Sequence, residues 1–434
     1  MPFFTPPGKK FGDFHLVERE GWLYCIFIQA SEKQRDEVGE AGNSYGLARS
    51  RDCFRWEYLG TVKEPGKKGS WDDLSLWAMH VLEERDRYLM AYSAVGKGGG
   101  DPHASQQVGF AESQDLRSWR DLSDGPLISS SMTSPYYYPS SVHKFCFRDP
   151  VLYRDGSRYH CLLAAKDASR HYERSGCVAL FSSRDGLKWS VRKPLFSPGR
   201  YWEVETPHVY KVDGTWVLIF GEYTNGLNMR YATSDSFTGP YEEDSLNELT
   251  PSQCYAGRIF NWQGTYLFFH WTRDRRAGKK ATYFAPPKFL VRRGGRFFLM
   301  HHQGLDVYFA EASSVSSLLR KARSSSSGRA RLSLEVVDKV RLKVSATDRR
   351  YGRVVELSRC AHGLSVRDFD RDDQVNELRT IPLPLSGSWS CDLFLDGRFL
   401  EVYVDGYFAH SGVLERSPDR VKGLSVYVDG EKKG

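Results

Sequence analysis

The stretch from Phe147 to Ala164 decides the fold of this chain, and it reads FRDPVLYRDGSRYHCLLA. It consists of an apolar strand, a polar turn around Gly156 and a second apolar strand led by Tyr159. Arg148 and Asp149 stand at the entrance of the first strand. A charged pair at the mouth of a buried strand is costly to desolvate unless the protein uses it. The stretch therefore predicts a pair of strands with a functional position at its start.

Four further segments share this order of strand, polar turn and aromatic-led strand. They cover residues 12–27, 77–92, 205–220 and 255–269. Corresponding positions, taken at His15, His80, Pro150, His208 and Arg258, lie about 50 to 70 residues apart. Self-similarity at this period, with about four short strands per unit, predicts a five-bladed β-propeller.

A third strand and its turn also repeat along the chain. The turn aspartates are Asp52, Asp115 and Asp185, and each is followed four residues later by a tryptophan. Aspartate in a turn commonly bonds the backbone through its side chain. We interpret these three as structural residues of the outer turns.

The composition changes after the fifth repeat. Residues 306–329 are rich in Ser and Arg and predict a linker, whereas residues 330–434 alternate apolar and polar residues in short strands. Asp396-Gly397 and Asp405-Gly406 have the composition of hairpin turns. The sequence therefore predicts an all-β chain, with a propeller over residues 1–305 followed by a C-terminal β-sandwich.

Composition excludes several classes of function. The net charge of +7 is small for 434 residues and the basic residues are dispersed, which does not indicate a nucleic-acid surface. No apolar run approaches the roughly 20 residues of a membrane helix, and no signal peptide is visible. The eight cysteines include no C-x-x-C pair, so we expect buried, reduced thiols and no metal site. We expect a cytoplasmic protein, or a secreted one if a leader was removed.

Three carboxylates stand at the entrances of inner strands: Asp13, Asp149 and Glu205. The inner strands of a propeller line its channel, so the repeat predicts equivalent positions for these side chains around one pocket. Crowded carboxylates repel each other, which raises at least one pKa. One carboxylic acid beside an ionised carboxylate is the equipment of glycoside hydrolysis. A single carboxylate at a strand end would more often be a turn residue.

These residues resemble glycoside hydrolase family 32, the invertases, inulinases and levanases. The family's F-R-D-P motif matches residues 147–150, and its W-G-H-A-x-S-x-D segment is similar to residues 45–52 with Trp56. The resemblance implies a five-bladed propeller followed by a β-sandwich. It places Gln29 at the position of a substrate-contacting glutamine.

The resemblance also implies the catalytic roles. Asp13 would be the nucleophile, Asp149 would stabilise the transition state beside Arg148, and Glu205 would be the acid/base of a retaining double displacement. The family's N-D-P-N-G motif is replaced by Gly12-Asp13-Phe14-His15. Its E-C-P-D motif is replaced by residues 205–208, ETPH, which are closer to the E-R-P-H of the levansucrases.

Another glutamate, Glu203, lies two residues before Glu205. It follows Trp202 as the family's acid/base follows a tryptophan, but alignment on Pro207 favours Glu205 as the acid/base. Other candidates for substrate contact are Arg148, Gln29, Trp77, His208, His15, His80 and Tyr255. His208 would bond a sugar hydroxyl. His15 and His80 are alternatively core residues, and Trp77 either stacks on a sugar or is packed.

The function predicted first is retaining hydrolysis of β-D-fructofuranosides or a closely related furanoside. The alternatives are an inverting arabinan or arabinofuranoside hydrolase, a fructosyltransferase and a non-catalytic glycan-binding propeller. The expected partner is an oligo- or polysaccharide that contains furanose units. No cofactor is expected, because carboxylates and water suffice. The β-sandwich is a candidate surface for a homodimer.

Overall fold

The structure is a computed structural model of the chain. It describes residues 3–31, 42–97, 106–139, 147–222, 228–252, 254–274, 281–324, 329–345, 353–370, 375–396, 399–413 and 423–433. The predicted turn at Asp396-Gly397 lies partly outside these residues, and Cys146 lies outside them. Within them, strands dominate and the prediction of an all-β fold is confirmed.

Five successive antiparallel sheets form the blades of a propeller, as predicted for this part of the chain. Blade one contains β1 Lys9–Arg19, β2 Trp22–Ser31, β3 Ser44–Ser50 and β4 Glu57–Lys63. Blade two contains β5 Ser75–Glu83, β6 Tyr88–Val95, β7 Gln107–Ser113 and β8 Arg120–Asp121. Blade three contains β9 Arg148–Asp155, β10 Arg158–Lys166, β11 Gly176–Ser183 and β12 Ser190–Phe196.

The last two blades depart from this regular pattern. In the described part of blade four the strands are β13 Val204–Val212, β14 Thr215–Glu222 and β15 Asn228–Ser234. Blade five contains β16 Cys254–Trp262, β17 Thr265–Asp274, β18 Ala281–Phe284, β19 Lys288–Arg293 and β20 Arg296–Met300. β18 and β19 both pair with β17, so the third strand of blade five is split around Pro286 and Pro287. Proline lacks the N–H that a continuous strand needs.

The amino-terminal segment closes the ring. Phe4 and Phe284 exchange two backbone hydrogen bonds of 2.9 Å, which attach the start of the chain to blade five. The ring of Phe11 stacks on that of Phe284 with centroids 4.9 Å apart. Aromatic packing and backbone pairing therefore join the first blade to the last.

The repeated outer turns have the structural role that the sequence predicts. The Oδ1 atom of Asp185 accepts the backbone N–H groups of Leu187 and Lys188 at 2.9 and 2.7 Å. The indole of Trp189 donates to the carbonyl of Gly186 at 3.1 Å. The turns after Asp52 and Asp115 repeat both kinds of contact.

Two sheets form the carboxy-terminal β-sandwich. The segment expected to be a linker contains a 3-10 helix, Gln303–Tyr308, the strand β21 Ala310–Glu311 and the helix α1 Val315–Ser324. The strands that follow are β22 Arg329–Val336, β23 Lys339–Ser345, β24 Arg353–Cys360, β25 Gly363–Asp370, β26 Val375–Ile381, β27 Trp389–Asp396, β28 Phe399–Val404, β29 Tyr407–Val413, β30 Gly423–Val428 and β31 Glu431–Lys433. Side chains from both sheets form one apolar core.

The sandwich is continuous with blade five. β20 pairs with β29 at Met300 and Tyr407, so one sheet runs from the propeller into the sandwich. Phe394, Tyr403 and Phe408 of the sandwich belong to the same core as the aromatic residues of blades one and five.

Most described cysteines are buried, and each is a free thiol. Among the described residues, no helix has both the length and the apolar character needed to cross a membrane.

Candidate active site

Every inner strand of the propeller carries a β-bulge at its entrance. In β1, β5, β9, β13 and β16, two residues lie opposite one residue of the neighbouring strand. Asp149, Thr206 and Ala256 have positive φ angles of 58°, 42° and 51° at these bulges. A bulge re-aims side chains, and left-handed backbone at a residue other than glycine is a strained conformation that functional sites often contain.

The three carboxylates occupy different positions of this bulge, so the predicted equivalence of their positions was wrong. Glu205 directly precedes the bulge of β13, Asp149 is the first bulge residue of β9, and Asp13 is the second bulge residue of β1. His15 and His80 are the second residues after their bulges, His208 and Arg258 are the first residues after theirs, and Pro150 lies within the bulge of β9, so the five positions are not all equivalent in register. The spacing of apolar residues does not fix the register to a single residue.

Arg148 lies among carboxylates from two blades. Its Nη2 atom is 2.8 Å from Oε1 of Glu203 and also contacts Oε1 of Glu205. Its Nε atom is 3.7 Å from Oδ2 of Asp149. The carboxylates raise the pKa of Arg148 well above its ordinary value, despite the opposing effect of burial. A buried guanidinium with several carboxylate partners holds those carboxylates in fixed places.

Asp149 is fixed by hydrogen bonds to two neighbouring blades. Its N–H donates to Oγ of Ser93 at 2.9 Å, and its Oδ2 accepts the N–H of Thr206 at 2.8 Å. Burial raises the pKa of Asp149 to about 7, and Arg148 opposes that rise. These contacts hold Asp149 in place between blades two and four.

Asp13 and Glu205 both receive hydrogen bonds from blade five. Nε1 of Trp271 donates to Oδ1 of Asp13 at 2.8 Å, and the hydroxyl of Tyr255 donates to Oε2 of Glu205. Burial raises the pKa of Asp13, while the Trp271 hydrogen bond and Arg258 oppose the rise. The contacts of Arg148, Tyr255 and Trp271 thus bring all three predicted catalytic residues to one place.

Glu205 on β13 and Glu203, which directly precedes β13, differ in exposure to solvent. The side chain of Glu203 is 3 % exposed, whereas that of Glu205 is 12 % exposed. Burial raises the pKa of Glu203 to about 8, with Arg148 opposing the rise. Gly176 leaves room for this buried position, because a Cβ at that residue would lie 2.8 Å from Cα of Glu203. Glu205 therefore has the better access to a substrate.

The three histidines lie in the buried part of the channel. The rings of His15 and His80 are 3.9 Å apart at their centroids, and those of His80 and His208 are 6.4 Å apart. Nε2 of His208 is 3.1 Å from the carbonyl oxygen of Ile259. Burial lowers the pKa of His208 to about 3 and lowers those of the other two. The three histidines therefore lie against one another, and the contact of His208 with a sugar hydroxyl stays a prediction.

Gln29 is held inside blade one, and its contact with substrate stays a prediction. Its side chain is fully buried, its Nε2 donates to Thr61 at 2.7 Å, and its Oε1 accepts the hydroxyl of Tyr58 at 2.9 Å. These bonds join strands of blade one. Trp77, by contrast, is partly exposed at the bulge of blade two and stays a candidate for stacking on a sugar.

Sequence reasoning did not identify Arg258 and Trp271 as residues of the site. Arg258 is 2 % exposed and donates to the carbonyls of Thr206 and Gly257 at 3.2 and 2.9 Å. Trp271 is a further aromatic residue in an aromatic-rich strand. The pairing register that places it beside Tyr255 could have identified it.

In the described part of the chain, no group of three or more His, Cys, Asp or Glu residues has an arrangement that could hold a metal ion. The described site contains carboxyl groups, an arginine and aromatic hydrogen-bond donors.

Known proteins resemble this chain in sequence and in fold. The sequence model of the Glycosyl hydrolases family 43 matches residues 37–270, which include Asp149 and Glu205 and more than half of the chain. The xylosidase/arabinosidase 43B of Humicola insolens is 23 % identical over 205 residues, which are 45 % of this chain and 35 % of that protein. The match thus spans about a third of the length of that relative.

Solved structures share the fold at low sequence identity. The GH32 β-fructofuranosidase BmSUC1 of Bombyx mori has a TM-score of 0.66 at 16 % identity, over 99 % of this chain and 92 % of its own. Fructan 1-exohydrolase IIa of Cichorium intybus has a TM-score of 0.70 at 15 % identity, over 99 % and 95 %. A thermostable family-43 glycoside hydrolase has a TM-score of 0.51 at 14 % identity, over 69 % and 96 %.

The likeness to family 32 therefore holds for the fold, including the β-sandwich, while the sequence model is that of a different family. The chain belongs to glycosyl hydrolases family 43.

Proposed function

We propose that this chain is a glycosidase that hydrolyses the bond to a terminal furanose ring. One observation carries the proposal: Asp13, Asp149 and Glu205 come from three different blades and meet at one pocket beside Arg148. Buried carboxylates without a function would be costly to retain at this density. Glycoside hydrolysis requires one carboxyl group as an acid and a second one on the other face of the sugar.

The environments of the three carboxyl groups favour different roles. Glu205, which is the more exposed glutamate, would protonate the oxygen of the leaving group. Asp149 is fixed by Thr206 and would hold ring hydroxyls and stabilise the positive charge that develops on the sugar. Asp13 receives a hydrogen bond on one oxygen, and its other oxygen would act on water or on the anomeric carbon.

Arabinofuranosides are the first candidate substrates. They are supported by membership in family 43 and by the name of the xylosidase/arabinosidase relative. Asp13 would then be a general base that activates water, and the product would have inverted configuration. Inverting glycosidases separate their two carboxyl groups by about 6.5–9.5 Å, which leaves room for that water.

β-D-Fructofuranosides are the second candidates, and the share of the chain that solved structures match favours them. The solved fructofuranosidases match 98–100 % of this chain, whereas the family-43 structure matches 69 %. Asp13 would then be a nucleophile, and the configuration would be retained through a covalent intermediate. Retaining enzymes separate the carboxyl groups by about 5–5.5 Å.

Proton NMR of the first-formed sugar distinguishes these candidates. The purified protein is given aryl arabinofuranosides, arabino-oligosaccharides, sucrose and 1-kestose, and the anomer is recorded before it equilibrates. Inversion on an arabinofuranoside supports the first candidate, and retention on a fructofuranoside supports the second. Asp13→Asn, which keeps the size of the side chain, is the control and is expected to be inactive.

The same experiment tests the two remaining alternatives. A fructosyltransferase would yield longer oligosaccharides in place of free fructose. A glycan-binding propeller would yield no product from any substrate, and Asp13→Ala would leave its affinity for the glycan unchanged. The absence of turnover on the whole panel would contradict the proposal.

A further inference from the structure

We propose that Trp271 and Tyr255 form a positioning pair that sets where Asp13 and Glu205 hold their carboxyl groups. The inference rests on the proposed function, because it assigns the two carboxyl groups a joint task. Neither aromatic residue is required to touch the substrate. Each acts through the carboxylate to which it donates a hydrogen bond.

The pair is built into one hairpin of blade five. Tyr255 on β16 lies directly opposite Trp271 on β17, and their ring centroids are 5.4 Å apart. The indole N–H points to Asp13 of blade one, at 2.8 Å, and the phenol points to Glu205 of blade four. Blade five lies between these two blades in the closed ring. A single cross-strand pair thus spans the gap between two carboxylates that come from different sheets.

The surroundings leave the Tyr255 ring little freedom. Its residue is 4 % exposed, and a Cβ on Gly221 would lie 2.4 Å from its hydroxyl oxygen. Only glycine leaves room for the Tyr255 ring at position 221 of β14. Trp271 is 8 % exposed and contacts Tyr255 on one side. Side chains that are locked by packing hold a functional group more accurately than side chains on loops.

Both aromatic groups keep their protons at the pH at which glycosidases work. Burial and the neighbouring Glu205 raise the pKa of Tyr255 well above its ordinary value, so the phenol stays a donor. An indole N–H is a donor only. Asp13 also faces Arg258, Glu205 and Arg148, and Glu205 also faces Arg148, Glu203 and Asp149. The indole of Trp271 and the phenol of Tyr255 are therefore neutral hydrogen-bond donors among charged side chains.

A donor to an ionised carboxylate favours the ionised form. Trp271→Phe removes the N–H and keeps an aromatic ring, so we expect the ascending limb of kcat/KM against pH, which reports Asp13, to move up by about one pH unit. Tyr255→Phe removes the hydroxyl that Glu205 accepts, so we expect kcat on substrates with poor leaving groups to fall more than kcat on activated aryl furanosides. Trp271→Phe thus acts on the function of Asp13, and Tyr255→Phe acts on that of Glu205.

Two residues at the opposite end of the same hairpin supply matched controls. Trp262→Phe and Tyr266→Phe make the same chemical changes away from the carboxylates, and both are expected to leave the ascending limb and the dependence on the leaving group as they are in the wild type. An unmoved ascending limb in Trp271→Phe, or an unchanged dependence on the leaving group in Tyr255→Phe, would overturn the inference. So would equal changes in the control variants.

A titration without substrate separates this inference from the proposed function. Carboxyl-¹³C aspartate labelling, with Asp13 assigned by Asp13→Asn, follows the protonation of Asp13 in the folded protein. We expect the midpoint to be higher in Trp271→Phe than in the wild type and unchanged in Trp262→Phe. An unchanged midpoint in Trp271→Phe would contradict the inference. A raised midpoint in a protein that hydrolyses no furanoside would contradict only the proposed function.

Discussion

Glu203 and Glu205 contact the same nitrogen of Arg148, but only one of them has access to a substrate. Glu203 is buried, its pKa is raised to about 8, and its backbone packs against Gly176. The more exposed Glu205 accepts a hydrogen bond from Tyr255 on its second oxygen. We therefore propose that Glu205 transfers the proton and that Glu203 holds Arg148 in place.

Substitution of each glutamate tests this assignment. Glu205→Ala is expected to lose roughly 10²–10⁴-fold in kcat on substrates with poor leaving groups and much less on activated aryl furanosides, because a good leaving group needs no acid. Glu203→Ala is expected to lose similar activity on both classes, since Arg148 is displaced in both reactions. Steady-state kinetics on the two classes gives the answer. A loss that depends on the leaving group in Glu203→Ala would exchange the two roles.

Asp149 makes the stability of the protein depend on pH. The native carboxyl keeps its proton up to about pH 7, whereas an unfolded aspartate loses it near pH 3.9. The native state therefore binds more protons between these values, and its stability falls as the pH rises through them. Asp149→Asn cannot ionise and escapes this loss.

Urea unfolding at pH 5 and pH 8 measures the effect. We expect the free energy of unfolding of Asp149→Asn, relative to the wild type, to increase by about 1–4 kcal/mol from pH 5 to pH 8. Asp155→Asn changes an exposed aspartate of the same strand and is expected to show no such trend. A relative stability of Asp149→Asn that is equal at the two pH values would contradict the raised pKa.

At the scale of the strands, the outer turns and the inner bulges have different duties. The turn after Asp185 satisfies backbone N–H groups through its carboxylate, whereas Asp13, Asp149 and Glu205 lie in or directly beside the bulges of the inner strands. We expect changes in the turns to affect stability and changes in the bulges to affect activity.

The outer turn can be tested at Asp185. Asp185→Ala leaves the N–H groups of Leu187 and Lys188 without their carboxylate and is expected to lower the free energy of unfolding. Its kcat/KM at a temperature where it is folded is expected to stay within about twofold of the wild type. Urea unfolding and initial rates provide both numbers. A loss of activity without a loss of stability would indicate a functional role for this turn.

Local sequence patterns predict the strands and the turns because each blade repeats its own short-range contacts. The aspartate turns, the aromatic-led second strands and the FRDP entrance of β9 follow from such patterns. The bulges do not, since one inserted residue changes the direction of a side chain without changing the composition. Contacts with Arg148 and with two aromatic residues of blade five bring Asp13, Asp149 and Glu205 together, as the repeat predicts. Gln29 and His208 are buried, and their contacts with substrate stay predictions.

Contacts between blades are the second feature that local patterns do not contain. Trp271 donates a hydrogen bond to Asp13, which lies 258 residues earlier in the sequence. The repeat of strands and turns does not predict which residues of the first and last blades contact each other. The predicted domain limits at residues 305 and 330 and the predicted dimer through the β-sandwich stay predictions.

At the scale of the molecule, a buried ion pair joins the propeller to the β-sandwich. Nζ of Lys288 on β19 is 2.6 Å from Oε1 of Glu401 on β28, and both side chains are almost completely buried. Tyr403 donates to the second oxygen of Glu401 at 2.7 Å, and Lys288 lies 4.5 Å from the ring centroid of Phe408. The two parts of the chain therefore share polar contacts as well as a continuous sheet and core.

Removal of one partner of this pair leaves the other charge buried. Lys288→Met is expected to destabilise the protein by about 3–5 kcal/mol, and the double variant Lys288→Met/Glu401→Gln by less, because no unpaired charge is left. Lys433→Met removes an exposed pair with Glu431 and is expected to cost less than about 1 kcal/mol. Urea unfolding measures all three. A double variant that is less stable than the single one would contradict this explanation.

The joint action of three blades is tested by the kcat/KM of three isosteric variants, Asp13→Asn, Asp149→Asn and Glu205→Gln, on the furanoside that the wild type hydrolyses fastest. Each variant is expected to lose at least about 10³-fold while its melting temperature stays within a few degrees of the wild type. A folded variant that keeps more than about a tenth of the wild-type kcat/KM would show that its carboxyl group takes no part in the reaction.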